Sequence, residues 1–155
     1  MKVLFISVNK EKSLRPALPI GMVTVATAAE VAGHTVKCVD LCFEEDDEAA
    51  LRKETENYEP DIIGISVRNI DSLNFLEPVF YPPILLKVVH ICRKLFPTLK
   101  IFLGGPGFTL VPEEILRYCR ADYGLVGMGE YAVPMFLERM EKNISVDDVP
   151  GVIYI

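Results

Sequence analysis

Short, nearly continuous apolar runs alternate along this chain with longer amphipathic or charged stretches. Lys2–Ser7 (KVLFIS) and Ile62–Ser66 (IIGIS) have the composition of strands buried on both faces. Thr35–Leu41 (TVKCVDL) alternates apolar and polar residues, as a strand nearer a sheet edge does. Ile101–Leu103 and Tyr123–Val126 are two more buried strands. Each runs straight into glycine: Gly104-Gly105-Pro106-Gly107 after the first, Gly127-Met128-Gly129 after the second. Helical stretches fill the intervals: Ile20–Val31 behind Pro19, then about Glu45 to Tyr58, Ile84 to Phe96, Pro112 to Tyr118 and Tyr131 to Lys142. The chain closes on a strand-like tail, Val152–Ile155.

Five units of strand then helix predict an α/β fold of flavodoxin-like (Rossmann-like) type. The expected sheet is doubly wound, parallel and five-stranded, of order 2-1-3-4-5, in three α/β/α layers. In that order the loops after strands one, three, four and five (8–18, 67–83, 104–111 and 127–130) open on one edge. They hold most of the unusual glycines and polar clusters, and glycine at the end of an apolar strand means that something comes close to the backbone.

Composition narrows the partners. With 155 residues, half of them hydrophobic, the chain fits one globular domain that needs neither disulfide nor metal to fold. Net charge is −6, and the cluster Glu44-Glu45-Asp46-Asp47-Glu48 has no basic counterpart, which argues against nucleic acid. The cluster itself suits the solvated, dipole-favoured start of a helix. No apolar run is long enough to span a bilayer, and the start, MKVLFISVNKEK, turns charged too early for a signal peptide, so the expectation is a cytoplasmic protein without a membrane partner. Cys38, Cys42, Cys92 and Cys119 are scattered and read as reduced thiols. Cys38 and Cys42 stand four apart without a third partner, so no metal site is expected, and no catalytic residue is assigned.

Several ligands use such an edge, and most fail here. A flavin phosphate needs a Ser/Thr/Gly-rich turn after strand one, and Val8-Asn9-Lys10-Glu11-Lys12 does not supply it. A phospho-receiver needs an acidic pair, an aspartate and a lysine where this chain has Ile6-Ser7, Ser66 and Val126-Gly127. No G-x-G-x-x-G follows the first strand. What remains is a ligand that lays a long, thin, partly apolar tail between sheet and helices, past Ser66, Gly104-Gly105 and Gly127.

At this point the sequence resembles the N-terminal cobalamin (B12)-binding domain of cobalamin-dependent radical S-adenosylmethionine (SAM) proteins. The carriers, in order, are Pro19-Ile20-Gly21, Pro60-Asp61-Ile62-Ile63-Gly64-Ile65-Ser66, Val67-Arg68-Asn69-Ile70-Asp71, Gly104-Gly105-Pro106-Gly107-Phe108, Pro112-Glu113-Glu114, Ala121-Asp122-Tyr123, Gly127-Met128-Gly129-Glu130 and Val149-Pro150-Gly151-Val152-Ile153-Tyr154. The resemblance covers essentially the whole chain, and its Arg68–Asp71 run resembles a subgroup associated with lipid-related biosynthesis.

The resemblance implies cobalamin as cofactor, bound through Ser66, Arg68, Asn69, Gly104, Gly105, Gly107, Gly127, Gly129 and Glu130. It puts the nucleotide tail beside Ser66, whose hydroxyl serves the dimethylbenzimidazole base, and gives Gly104, Gly105 and Gly127 the role of leaving room where a Cβ would collide. The corrin ring would lie over Arg68, Asn69 and the 8–18 loop, with Gly129-Glu130 offering backbone donors and a carboxylate. Related methyltransferases and mutases carry Asp-x-His-x-x-Gly after the first strand. This chain has only His34 and His90, neither of them there, so base-off cobalamin without histidine is implied, with water, an empty site or Arg68 facing the cobalt. The Cys-x-x-x-Cys-x-x-Cys motif of the family's 4Fe-4S cluster is also missing. The cluster and SAM therefore belong to a C-terminal radical SAM domain of a longer parent, with 1–148 as the cobalamin-binding-like domain and 149–155 as the strand leading toward its partner. The rival expectation is a flavodoxin-like interaction domain that binds no cofactor.

Overall fold

A computed structural model describes residues 1–12, 15–72 and 74–155. Ser13 and Leu14, in the 8–18 loop, and Leu73, in the 67–83 loop, lie outside the described residues. The order is β1 (Lys2–Ser7), α1 (Ile20–Val31), β2 (Thr35–Asp40), α2 (Asp47–Thr55), β3 (Ile62–Ser66), α3 (Pro82–Leu95), β4 (Lys100–Gly104), α4 (Pro106–Leu110), α5 (Pro112–Cys119), β5 (Tyr123–Leu125), α6 (Gly129–Glu141) and β6 (Val152–Ile153).

The strands form one sheet of order β2-β1-β3-β4-β5-β6. β1 to β5 run parallel, as the crossover helices require, and β6 adds antiparallel to β5. The flavodoxin-like fold read from the sequence is the observed one, extended by this sixth strand. Two other features depart from the sequence reading. The run after β4 holds the five-residue helix α4, too short to leave a periodic signal and started by Pro106 at its first turn. The acidic cluster does open a helix, with the Asp46 carboxylate accepting from Glu48 N and Ala49 N at 3.0 Å, but Asp47 is buried rather than solvated. Lys10 at 2.7 Å and Lys87 at 3.3 Å compensate its charge.

Because strand side chains alternate, the parallel register sorts them into rows. Toward α2, α3 and α5 point Leu4, Ile63 and Ile101, then Ile6, Ile65 and Leu103, all buried. Toward α1 and α6 point Phe5, Gly64 and Phe102, then Ser7, Ser66 and Gly104. Phe5 and Phe102 meet edge to face at 6.0 Å across Gly64, and Phe136 of α6 adds to the stack at 5.4 Å from Phe102. A Cβ on Gly64 would run into the Phe102 ring.

At the amino edge, Asp122 accepts from Ile101 N at 2.8 Å and pairs with Arg93 at 2.6 Å and Lys100 at 3.0 Å. Burial works to raise its pKa, but these three partners outweigh it and hold the carboxyl below its usual value. His34 is buried at the same edge, 3.2 Å from the N-terminal amine. Burial, then that amine, lowers its pKa.

Candidate functional site

Above the Phe5–Gly64–Phe102 row, the small residues Ser66 and Gly104 leave the α1/α6 side of the sheet unfilled. The result is a cleft of about 440 Å³ at the carboxyl edge. It is lined by Gly21 and Val25 of α1, by Met128, Gly129, Glu130 and Val133 at the start of α6, and by Gly105, Pro106, Thr109 and Gly127 of the glycine loops; α1 and α6 meet where Val25 lies against Gly129. The lining is mainly apolar. Its polar side chains are Ser66, Thr109 and Glu130, and among the described residues no histidine, cysteine, lysine or arginine lines it. Such a cleft is suited to holding a long apolar group with polar ends, at the edge where α/β sheets bind ligands.

The glycines around it do different work. A Cβ on Gly104 would touch only Leu125 O, at an ordinary 3.6 Å, and one on Gly21 would meet nothing within 4 Å. Both positions face free space. Gly105, with φ +101°, is instead required by the backbone: its Cβ would lie 2.7 Å from Val67 O. The chain needs that approach, because Val67 N donates to Gly104 O at 2.8 Å and Gly107 N donates to Val67 O at 2.9 Å. Thr109 ties the two glycine loops together: its hydroxyl donates to Gly105 O and accepts from Gly127 N, each at 3.1 Å.

Of the residues singled out in the sequence, Ser66, Gly104, Gly105, Gly127, Gly129 and Glu130 line this cleft. Arg68 and Asn69 do not. They border a small separate cavity with Val8, Asn9, Val67, Tyr81, Pro82 and Leu85, on the α3 side of the same edge. Gly107 is buried beneath them, where a Cβ would lie 2.9 Å from Asn69 N. Sequence reasoning missed Gly21, Gly64 and Thr109 as parts of the site. The first two are glycines inside a helix and a strand, a pattern that signals close approach, whereas Thr109 carries no signal without the fold.

The loop after β1 is braced at that edge. The Tyr81 hydroxyl donates to Glu11, and burial together with this carboxylate pushes its pKa up to about 12. Lys10 Nζ donates to Leu41 O, to Glu44 O at 2.9 Å and to Asp47 at 2.7 Å. Metal chemistry finds no ligand set: among the described residues no group of three or more His, Cys, Asp or Glu could hold an ion. The buried thiols of Cys92 and Cys119 are pushed up to about 12 by burial and stay protonated. No described helix is long and apolar enough to cross a membrane.

Residues 6–137 match the family model of the B12 binding domain. The chain belongs to the B12-binding domain family. It is 28% identical to the hopanoid C-3 methylase of Methylococcus capsulatus over 137 residues, 87% of this chain and 24% of that protein. It is 26% identical to the tryptophan 2-C-methyltransferase of Streptomyces laurentii over 149 residues, 94% of this chain and 25% of that protein. Among solved structures it is similar to the radical SAM methyltransferase TsrM from Kitasatospora setae with cobalamin and a [4Fe-4S] cluster bound, with a TM-score of 0.90 and 26% identity over 99% of this chain and 27% of that one. These matches agree with the resemblance drawn from the sequence. The chain spans about a quarter of the length of the curated relatives it matches. The cleft passes a structural test of fit to a partly apolar cobalamin tail: its lining is mainly apolar, and side chains added at Gly21 and Gly104 would enter its free space.

Proposed function

We propose that this chain is a cobalamin-binding module that holds the cofactor base-off and without a histidine ligand, for methyl transfer or radical chemistry carried out by a radical SAM domain. The observation that carries the reading is the Ser66–Gly104 row, which leaves a tail-sized cleft above an aromatic floor in a protein of the B12-binding family. The nucleotide tail enters beside Ser66, whose hydroxyl serves its base. Gly104 and Gly21 give it room, Gly129 lets the start of α6 close against Val25 of α1, Gly105 and Gly127 shape the loops beside it, and Glu130 with the first turn of α6 offers a carboxylate and backbone donors. Arg68 and Asn69, carried on buried Gly107, flank the corrin from the α3 side.

Bound cobalamin supplies methyl-carrying or radical chemistry through its cobalt. The chain's own residues bind it, orient it and exclude water from its tail. The His-off assignment is supported by the two histidines, His34 at the amino edge and His90 exposed on α3, neither of which lines the cleft. The 4Fe-4S cluster and SAM are assigned to a radical SAM domain of the same parent, following residues 149–155. The four free thiols support a cytoplasmic setting.

The test is retention. Protein mixed with hydroxocobalamin and freed of excess by gel filtration is expected to keep a base-off visible spectrum. Colourless protein at high cofactor concentration contradicts the reading and favours a cofactor-free interaction domain.

A further inference from the structure

Just after β1, Lys10 and Glu11 are committed to neighbouring elements, whereas the side-chain amide of Asn9 is not. Lys10 is used by Leu41, Glu44 and Asp47, and Glu11 by the Tyr81 hydroxyl. Asn9 is only 8% exposed. Its Oδ1 accepts from Glu11 N at 3.3 Å, which fixes the orientation of the amide, and its buried Nδ2 meets no acceptor among the described residues. A buried amide donor is costly to leave unpaired, so native structures supply a partner.

Asn9 lines the small cavity at the carboxyl ends of β1 and β3, which is the point where the strand order reverses. The cavity measures about 10 Å³, which suits a single water. Arg68, Asn69 and Tyr81 border it as well. The Tyr81 proton goes to Glu11, so its oxygen is left to accept.

We propose that this cavity is a one-water site: a single internal water accepts from Asn9 Nδ2 and bridges it to the Arg68–Asn69 segment. Asn9 is thereby a positioning residue for the loop after β3, the loop that flanks the corrin in the reading above. The water ties the first and third strand ends together at the ligand edge.

Crystals of the cofactor-free protein test this directly. Spherical density is expected about 2.7–3.2 Å from Asn9 Nδ2. In Asn9→Leu the density is lost and amide exchange accelerates at residues 68–71 relative to the rest of the sheet edge, while Asn9→Ser, which keeps a hydrogen-bonding group, retains the water and most of the protection. Hydroxocobalamin retention in Asn9→Leu is expected to weaken by about threefold to tenfold, the range of one neutral hydrogen bond. Only this last arm rests on the cobalamin reading; the density and the exchange rates stand without it. A protein acceptor on Nδ2 in place of water, or exchange at 68–71 unchanged in Asn9→Leu, overturns the proposal. Should Asn9→Leu fail to fold, the wild-type density and Asn9→Ser decide it.

Discussion

On the side of the sheet covered by α2, α3 and α5, rows of Leu4, Ile63 and Ile101 and of Ile6, Ile65 and Leu103 are all buried against the helices. On the α1/α6 side the same strands, in the same register, present Phe5, Gly64 and Phe102 and then Ser7, Ser66 and Gly104. The backbone is shared, so the cleft is a matter of side-chain volume at alternate positions. It lies toward the carboxyl edge, with the Phe5–Phe102 row beneath it. One face is built for stability, and the other gives up packing at its upper end to hold a ligand.

Breaking each face separately tests that division. The largest effect is expected on the face covered by α2, α3 and α5, where Ile65→Ala costs about 2–5 kcal/mol in urea unfolding and leaves hydroxocobalamin retention nearly unchanged. On the open face, Gly104→Leu is expected to weaken retention about a hundredfold or more, two factors of ten at 1.4 kcal/mol each, with stability held near wild type because its Cβ meets only an ordinary contact. Its neighbour behaves differently. Gly105→Ala forces a Cβ toward Val67 O at a positive φ and is expected to destabilise the fold by about 1–3 kcal/mol. Equal stability of Gly104→Leu and Gly105→Ala would break the distinction between a glycine that leaves room and a glycine the backbone requires.

The smallest effect lies away from both faces. Asp122 has a folded pKa below its usual 3.8, so the unfolded chain takes up its proton first as the pH falls. The stability it contributes is complete above that usual value and is lost as the pH drops through the folded one. Acid unfolding of Asp122→Asn should therefore show a shallower decline in that window than wild type, and identical acid profiles would contradict the assignment.

Much of this architecture was legible in the sequence because buried strands and glycine stops leave local signals. β1, β3 and α1 have the limits their composition predicts, and described residues from all four loops named from the strand order line the two cavities of one edge. What was not legible depends on register. Gly104 and Gly105 are adjacent letters, yet one faces the cleft and the other the backbone of Val67, a difference fixed by strand pairing and φ rather than by residue type. For the same reason Arg68 and Asn69, only two and three residues beyond Ser66, emerge at a different cavity. Thr109 bridges two loops from a helix too short to predict, and Asp47 is buried because two lysines distant in sequence converge on it.

The most direct measurement is a crystal structure of the protein grown with hydroxocobalamin. The account predicts the nucleotide tail in the cleft between Ser66, Gly104 and Gly129, above Phe5 and Phe102, with the base displaced from cobalt and no histidine beneath it. A tail lying outside that cleft, or a base still bound to cobalt, would contradict it.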